Sequence, residues 1–214
     1  MTDICHHRLI AILRGISPEE CEPVVTRLLD AGITAIEVPL NSPRPFESIA
    51  IASRLVSSYL GKEGLVGAGT VLSADEVDKV ANSGGNVIVS PDCHEPVIAR
   101  TLARKMISLP GVFTPTEAHK AIRAGANGLK LFPASLLGPS AVRALKAVLP
   151  ANMPLYAVGG VALEDMADYA AAGITGFGIG SAIYQTGDTA DDVGNKAQDF
   201  INHCHKIYGA SATQ

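Results

Sequence analysis

Short apolar runs alternate with longer segments of helical period along the whole chain, and the alternation repeats eight times. The β-rich runs predict strands over residues 8–14, 35–40, 65–71, 86–91, 106–112, 128–133, 154–159 and 176–181. The helical segments between them cover residues 18–31, 44–59, 73–83, 95–105, 115–124, 138–148, 163–172 and 190–206. Local chemistry marks several of these boundaries. Ser17-Pro18-Glu19-Glu20 is a helix start, with a proline in the first turn and two acids near the helix dipole. Ser73 and Glu76 have the spacing of a capping box. Asp30-Ala31-Gly32, Arg123-Ala124-Gly125 and Ala171-Ala172-Gly173 each end a helix on a glycine suited to a left-handed cap.

Eight βα units in 214 residues predict an α/β fold, a closed parallel (β/α)8 barrel of the TIM type forming one domain over residues 1–214. A doubly wound open sheet is the alternative. It has fewer strands and a dinucleotide loop after the first, whereas here the first strand runs into Leu13-Arg14-Gly15 without a G-x-G-x-x-G.

Barrel strands alternate their side chains between interior and helix layer. In Gly128-Leu129-Lys130-Leu131-Phe132 the leucines take one phase and Lys130 the other, which predicts Lys130 inside the barrel. The same count along Ala35-Ile36-Glu37-Val38-Pro39 predicts Glu37 inside. Arg14 shares a phase with Ile10 and Ile12, and Thr70 with Val66 and Ala68. All four stand at or toward the C-terminal ends of their strands, where barrel enzymes carry their chemistry. A purely structural ion pair between Lys130 and Glu37 is the competing reading. Three charges at one mouth are costly if they serve structure alone. A lysine buried near another cation is partly neutral at working pH and can attack a ketone, with a carboxylate moving the protons. That is the chemistry of carbonyl condensation and cleavage.

Two late glycine-rich segments, Gly159-Gly160 and Gly176 to Ser181, follow or form strands seven and eight. The loops there are the usual phosphate site of this fold, because glycine lets backbone N–H groups approach an anion. Gly67-Ala68-Gly69-Thr70 is either a packing feature or a close approach to a substrate carboxylate.

Composition removes other classes. A formal net charge of −4 and no Lys/Arg block leave no footprint for nucleic acid. No apolar run approaches the roughly 18–20 residues a membrane span needs. The Leu9 to Leu13 run is too short for a secretory core, which predicts a cytoplasmic protein with reduced thiols. The four cysteines form no C-x-x-C pair. His203 and His205 beside Cys204 have no carboxylate nearby in sequence, so they read as a solvated helix end, and no metal site is predicted.

Taken in order and spacing, Ile12-Leu13-Arg14-Gly15, Glu37-Val38-Pro39-Leu40, Gly67-Ala68-Gly69-Thr70-Val71, Lys130-Leu131-Phe132-Pro133-Ala134, Gly159-Gly160 and Gly180-Ser181 resemble the 2-keto-3-deoxy-6-phosphogluconate and 6-phosphogalactonate aldolases from Leu9 to about Tyr184. The resemblance implies a class I aldolase without metal or organic cofactor, assembled as a homotrimer. It implies Lys130 as the Schiff-base lysine and Glu37 as proton donor and acceptor. It further implies Arg14, Thr70 and the backbone of Val71 at the pyruvate portion, Gly160, Gly180 and Ser181 at the phosphate, and Phe132 beside the lysine. The partners it implies are a phosphorylated keto-deoxy sugar acid and pyruvate.

The gluconate branch of that family usually carries a substrate-binding arginine where this chain has Asn41, and often Pro-Thr-Gly-Gly where it has Ala157-Val158-Gly159-Gly160. Both segments are similar to the galactonate branch. The expected reaction is therefore cleavage of 2-dehydro-3-deoxy-6-phosphogalactonate. The alternatives are action on the gluconate epimer or on 4-hydroxy-2-oxoglutarate, a phosphosugar epimerase or synthase, and a phosphosugar-binding sensor that is not an enzyme.

Overall fold

In a computed structural model, which describes residues 4–209, the apolar runs become nine strand segments joined by parallel pairings. These are β1 (Leu9–Ile12), β2 (Ala35–Pro39), β3 (Leu65–Gly69), β4 (Val87–Val89), β5 (Ile107–Leu109), β6 (Gly111–Val112), β7 (Leu129–Leu131), β8 (Leu155–Val158) and β9 (Gly176–Ile179). Their order is β5-β4-β3-β2-β1-β9-β8-β7-β6. Segments β5 and β6 are the two halves of the fifth expected strand, divided at Pro110, which has no N–H for the ladder.

That strand closes the ring. Ser90 N–H donates to Leu109 O at 3.2 Å on one side, and on the other Asn127 N–H donates to Ser108 O at 3.0 Å and Lys130 N–H to Pro110 O at 2.9 Å. The parallel barrel therefore stands as expected. Its strands are shorter than the apolar runs, because the runs continue into the turns that leave the barrel.

The helices are α1 (Pro18–Asp30), α2 (Pro45–Leu60), α3 (Ala74–Asn82), α4 (Glu95–Ala103), α5 (Pro115–Arg123), α6 (Ala134–Lys146), α7 (Met166–Ala171) and α8 (Ala190–Tyr208). The boundary chemistry acts as expected. Ser73 N–H donates to Glu76 Oε2 at 3.0 Å while Glu76 N–H donates back to Ser73 Oγ at 3.3 Å. Gly32, Gly125 and Gly173 take φ of 95°, 92° and 103° just past α1, α5 and α7.

Helix α6 departs from expectation. It begins at Ala134 rather than 138 and kinks at Gly138 (φ 66°, ψ 166°), where Pro139 cannot supply the next N–H. No helix among the described residues is long and apolar enough to cross a membrane.

Side-chain alternation divides the core in two. Ile10, Ile12, Val87, Val89, Tyr156 and Val158 belong to the cluster inside the barrel. Ile36, Val38, Leu129 and Leu131 belong to the outer cluster under the helices. Each fully buried Leu or Val contributes about 1.5–3 kcal/mol, so a shift of one residue in any strand would be strongly unfavourable. The N-terminal end is plugged. A 3-10 turn at Ile4–His6 crosses it, and the buried Tyr156 hydroxyl donates to Ile4 O at 2.6 Å and His7 O at 3.0 Å.

Candidate active site

The strand phase places the two central groups as expected. Lys130 is the middle residue of β7 and Glu37 the middle residue of β2, and their apolar neighbours all pack outward. Both are buried, at 6% and 2% relative exposure. Neither these two nor Arg14 forms an ion pair within 4 Å among the described residues, and Glu37 Oε2 is buried with no hydrogen-bond partner among them. An uncommitted buried carboxylate oxygen is expensive for a structural ion pair but serves a group that must take up protons.

The electrostatics follow from this burial. Loss of water pushes the Glu37 carboxyl up to about 7, against the downward pull of Lys130, of Arg14 and of the Gly69 N–H. Loss of water also lowers the Lys130 ammonium, with Glu37 opposing that shift and Arg14 reinforcing it. The lysine is thereby biased toward the free amine that attacks carbonyl carbon. Its Nζ lies 4.6 Å from the centre of the half-exposed Phe132 ring, so the aromatic face covers the amine on its way to the mouth.

Two glycines hold this arrangement. A β-carbon on Gly69 would lie 2.5 Å from the Glu37 carboxyl carbon and closer still to both oxygens, so the carboxylate occupies the space a side chain would need. A β-carbon on Gly159, whose φ is 91°, would lie 3.1 Å from two atoms of the Phe132 ring. In the sequence, Gly69 fits a packing feature and a close approach to a carboxylate equally well, and Gly159 fits the phosphate loop. Neither seat has a local signature, since each partner lies about thirty positions away.

The remaining predicted residues lie at the exits of the strands. Arg14 stands two residues past β1 and is exposed, so it lies in a turn at the mouth rather than within a strand reaching 14. Its Nη1 donates to Asn41 Oδ1 at 2.7 Å. Thr70 shares the parity of Val66 and Ala68, which pack outward, so alternation alone would send it to the helix layer. It lies one residue beyond β3 with a left-handed φ of 59°, and the alternation ends there. Val71 has its side chain fully buried in the outer cluster, which leaves its backbone for the site.

Gly160 lies two residues past the end of β8 and Gly180 one residue past the end of β9, and these strands pair through Val158 and Gly178, so the two exits are neighbours. Gly160 has φ of 73°, and a β-carbon there would lie 2.7 Å from Ser135 Oγ at the start of α6. Ser181 is exposed in the same region and accepts from Gln185 Nε2 through its carbonyl at 3.0 Å.

Away from the mouth, the His203, Cys204, His205 segment is not a solvated helix end throughout. Cys204 is fully buried on α8, and burial pushes its thiol up to about 12. Among the described residues no group of three or more His, Cys, Asp or Glu could hold a metal ion.

A family model described as the KDPG and KHG aldolases matches residues 2–196. A protein of Rhizobium meliloti (strain 1021) named as a probable 2-dehydro-3-deoxy-6-phosphogalactonate aldolase is 49% identical over 201 residues, covering 94% of this chain and 93% of that protein. The 2-dehydro-3-deoxy-6-phosphogalactonate aldolase of Escherichia coli (strain K12) is 45% identical over 193 residues, covering 90% and 92%. A solved structure described as native KDPGal aligns with a TM-score of 0.88 at 42% identity, covering 93% of this chain and 95% of that one.

Proposed function

The chain belongs to the KDPG and KHG aldolase family, and from that premise we propose that it is a class I aldolase cleaving 2-dehydro-3-deoxy-6-phosphogalactonate to pyruvate and D-glyceraldehyde 3-phosphate through an imine on Lys130. The observation that carries this reading is a buried lysine biased toward its free amine, inside the same barrel as a buried carboxyl whose pKa is about 7.

In this mechanism the Lys130 amine adds to the C2 ketone, and loss of water gives the protonated imine. Glu37 as carboxylate takes the proton of the C4 hydroxyl, directly or through water. The C3–C4 bond breaks, its electron pair passes into the imine as an enamine, and the aldehyde leaves. Glu37 returns the proton to C3, and water hydrolyses the imine to free the amine and pyruvate. Arg14, Thr70 and the Val71 backbone bind the pyruvate carboxylate, Gly160, Gly180 and Ser181 hold the phosphate, and Phe132 shields the amine from water.

The galactonate epimer is favoured over the gluconate one by the names of the relatives and by Val158. That side chain belongs to the interior cluster at the exit of β8 and presents methyls rather than a hydroxyl near the substrate's C4. The homotrimer implied by the family resemblance is part of the same proposal. Leu72, Phe113 and Leu136 are exposed beyond the C-terminal ends of β3, β6 and β7, consistent with an apolar surface that a neighbouring subunit covers.

Borohydride with pyruvate tests the chemistry. One reduced adduct on Lys130 is expected, and Lys130→Arg, which keeps the charge but cannot form the imine at working pH, loses both adduct and turnover. An unchanged intact mass, or label on another lysine, would remove the assignment.

A further inference from the structure

The exits of β1 and β2 are fastened to each other at two points. Arg14 Nη1 donates to Asn41 Oδ1 at 2.7 Å, and Gly15 N–H donates to Ser42 Oγ at 2.9 Å. Ser42 is itself anchored, since it is buried and its N–H donates to Pro39 O at 2.9 Å. One residue earlier, Leu13 N–H donates to Glu37 O at 2.9 Å, so the ladder between the strands runs into the turns without a break.

Without these contacts Arg14 would be a long side chain on an exposed turn. Ordering it would then fall to the substrate at the moment of binding. Asn41 engages one of the five guanidinium N–H groups and leaves the others for a planar acceptor. The chemistry of the contact also matters. Asn41 is a neutral amide, and Arg14 forms no ion pair among the described residues, so its charge is oriented without being neutralised. An aspartate at 41 would make the same contact, cancel the charge and repel an incoming carboxylate.

We infer that Asn41 and Ser42 are positioning residues that fix Arg14 over the barrel mouth with its charge free, so that it meets the carboxylate of a 2-keto acid already ordered. Ser42 holds the backbone of the turn and Asn41 holds the head of the side chain. This inference rests on the proposed role of Arg14 as the carboxylate anchor.

The test is the half-saturation of pyruvate in borohydride trapping at Lys130, read by intact mass. It compares the unmodified protein, Asn41→Ala, Arg14→Ala and the double variant, with Ser42→Ala alongside. Asn41→Ala is expected to raise the pyruvate half-saturation by about 3- to 10-fold, the weight of one exposed charge-assisted hydrogen bond, with the same yield at saturation. Ser42→Ala moves it in the same direction. In the Arg14→Ala background, Asn41→Ala is expected to change it by less than about 2-fold, because the coupling partner is gone. Acetone has the ketone but no carboxylate, and its trapping is expected to be unaffected by Asn41→Ala.

A change below about 3-fold with pyruvate, an equal change in both backgrounds, or an equal change with acetone overturns the positioning role. If the unmodified protein traps pyruvate nowhere, the aldolase reading itself fails and takes this inference with it.

Discussion

Replacing Gly69 by alanine puts a methyl group into the seat of the Glu37 carboxylate. The added carbon would lie 2.5 Å from the carboxyl carbon and nearer to both oxygens. Carbon contacts are comfortable from about 3.5 Å, so the carboxylate must retreat by roughly 1 Å or the backbone of β3 must yield. The first response dominates if the β2–β3 ladder holds, and five registered residue pairs from Ala35↔Leu65 to Pro39↔Gly69 favour that. A general base misplaced by about 1 Å costs on the order of 100-fold in rate.

If the backbone moves instead, the cost appears as stability, about 1–3 kcal/mol for overpacking, or a Tm lower by about 2–12 °C at this chain length. The assay is pyruvate release from 2-dehydro-3-deoxy-6-phosphogalactonate together with a melting curve. The expected result is kcat/KM reduced about 100-fold with a Tm change of a few degrees. Borohydride labelling of Lys130 by pyruvate should persist, because no atom of the lysine is displaced. A variant with kcat/KM within about 3-fold of the parent and an unchanged Tm would show that Glu37 does not occupy that seat in the working protein.

Two further outcomes follow from the same site. Glu37 must be ionised to act as a base and Lys130 must be neutral to attack, so kcat/KM is expected to rise with pH through about 7, where burial has moved the Glu37 carboxyl. A profile flat between about pH 5.5 and 8.5 would contradict this. The galactonate substrate is expected to exceed its gluconate epimer in kcat/KM by about 5- to 150-fold, and Val158→Thr to move the ratio toward gluconate by restoring a hydroxyl near C4. Equal kcat/KM on both epimers in the unmodified protein would overturn the galactonate preference and leave the aldolase reading standing, and a Val158→Thr ratio moving toward galactonate would remove Val158 from the specificity argument.

What the sequence made legible was whatever two-residue alternation controls. The interior phase of Lys130 and Glu37 follows from Leu129, Leu131, Ile36 and Val38 occupying the opposite one, which requires no knowledge of packing. Capping boxes and glycine stops were legible for the same reason, since their partners lie within a few residues. Contacts across the ring were not. The seat of Glu37 on Gly69, the Phe132 ring on Gly159, and the Tyr156 hydroxyl reaching Ile4 all join residues far apart in the chain. Alternation also fails where a strand ends. It gave the right phase for Ile10 and Ile12, but it could not follow the chain to Arg14, which had already left the strand, or to Thr70, whose left-handed backbone breaks the count. The division at Pro110 was present in the sequence as a proline inside an apolar run, and the early start of α6 was hidden by Gly138-Pro139, which reads locally as a helix beginning.

The plug formed by Tyr156 and the Ile4–His6 turn makes the barrel a cul-de-sac. Whatever enters does so past the strand exits, and whatever leaves goes the same way. On the proposed reaction this imposes a sequence of events. The fragment tethered on Lys130 is the keto acid, and the phosphorylated aldehyde lies between it and the strand exits. The aldehyde must depart first and pyruvate last. In the synthetic direction the keto acid must be seated before the aldehyde can follow, so an aldehyde that arrives early can only stand in the doorway and delay it.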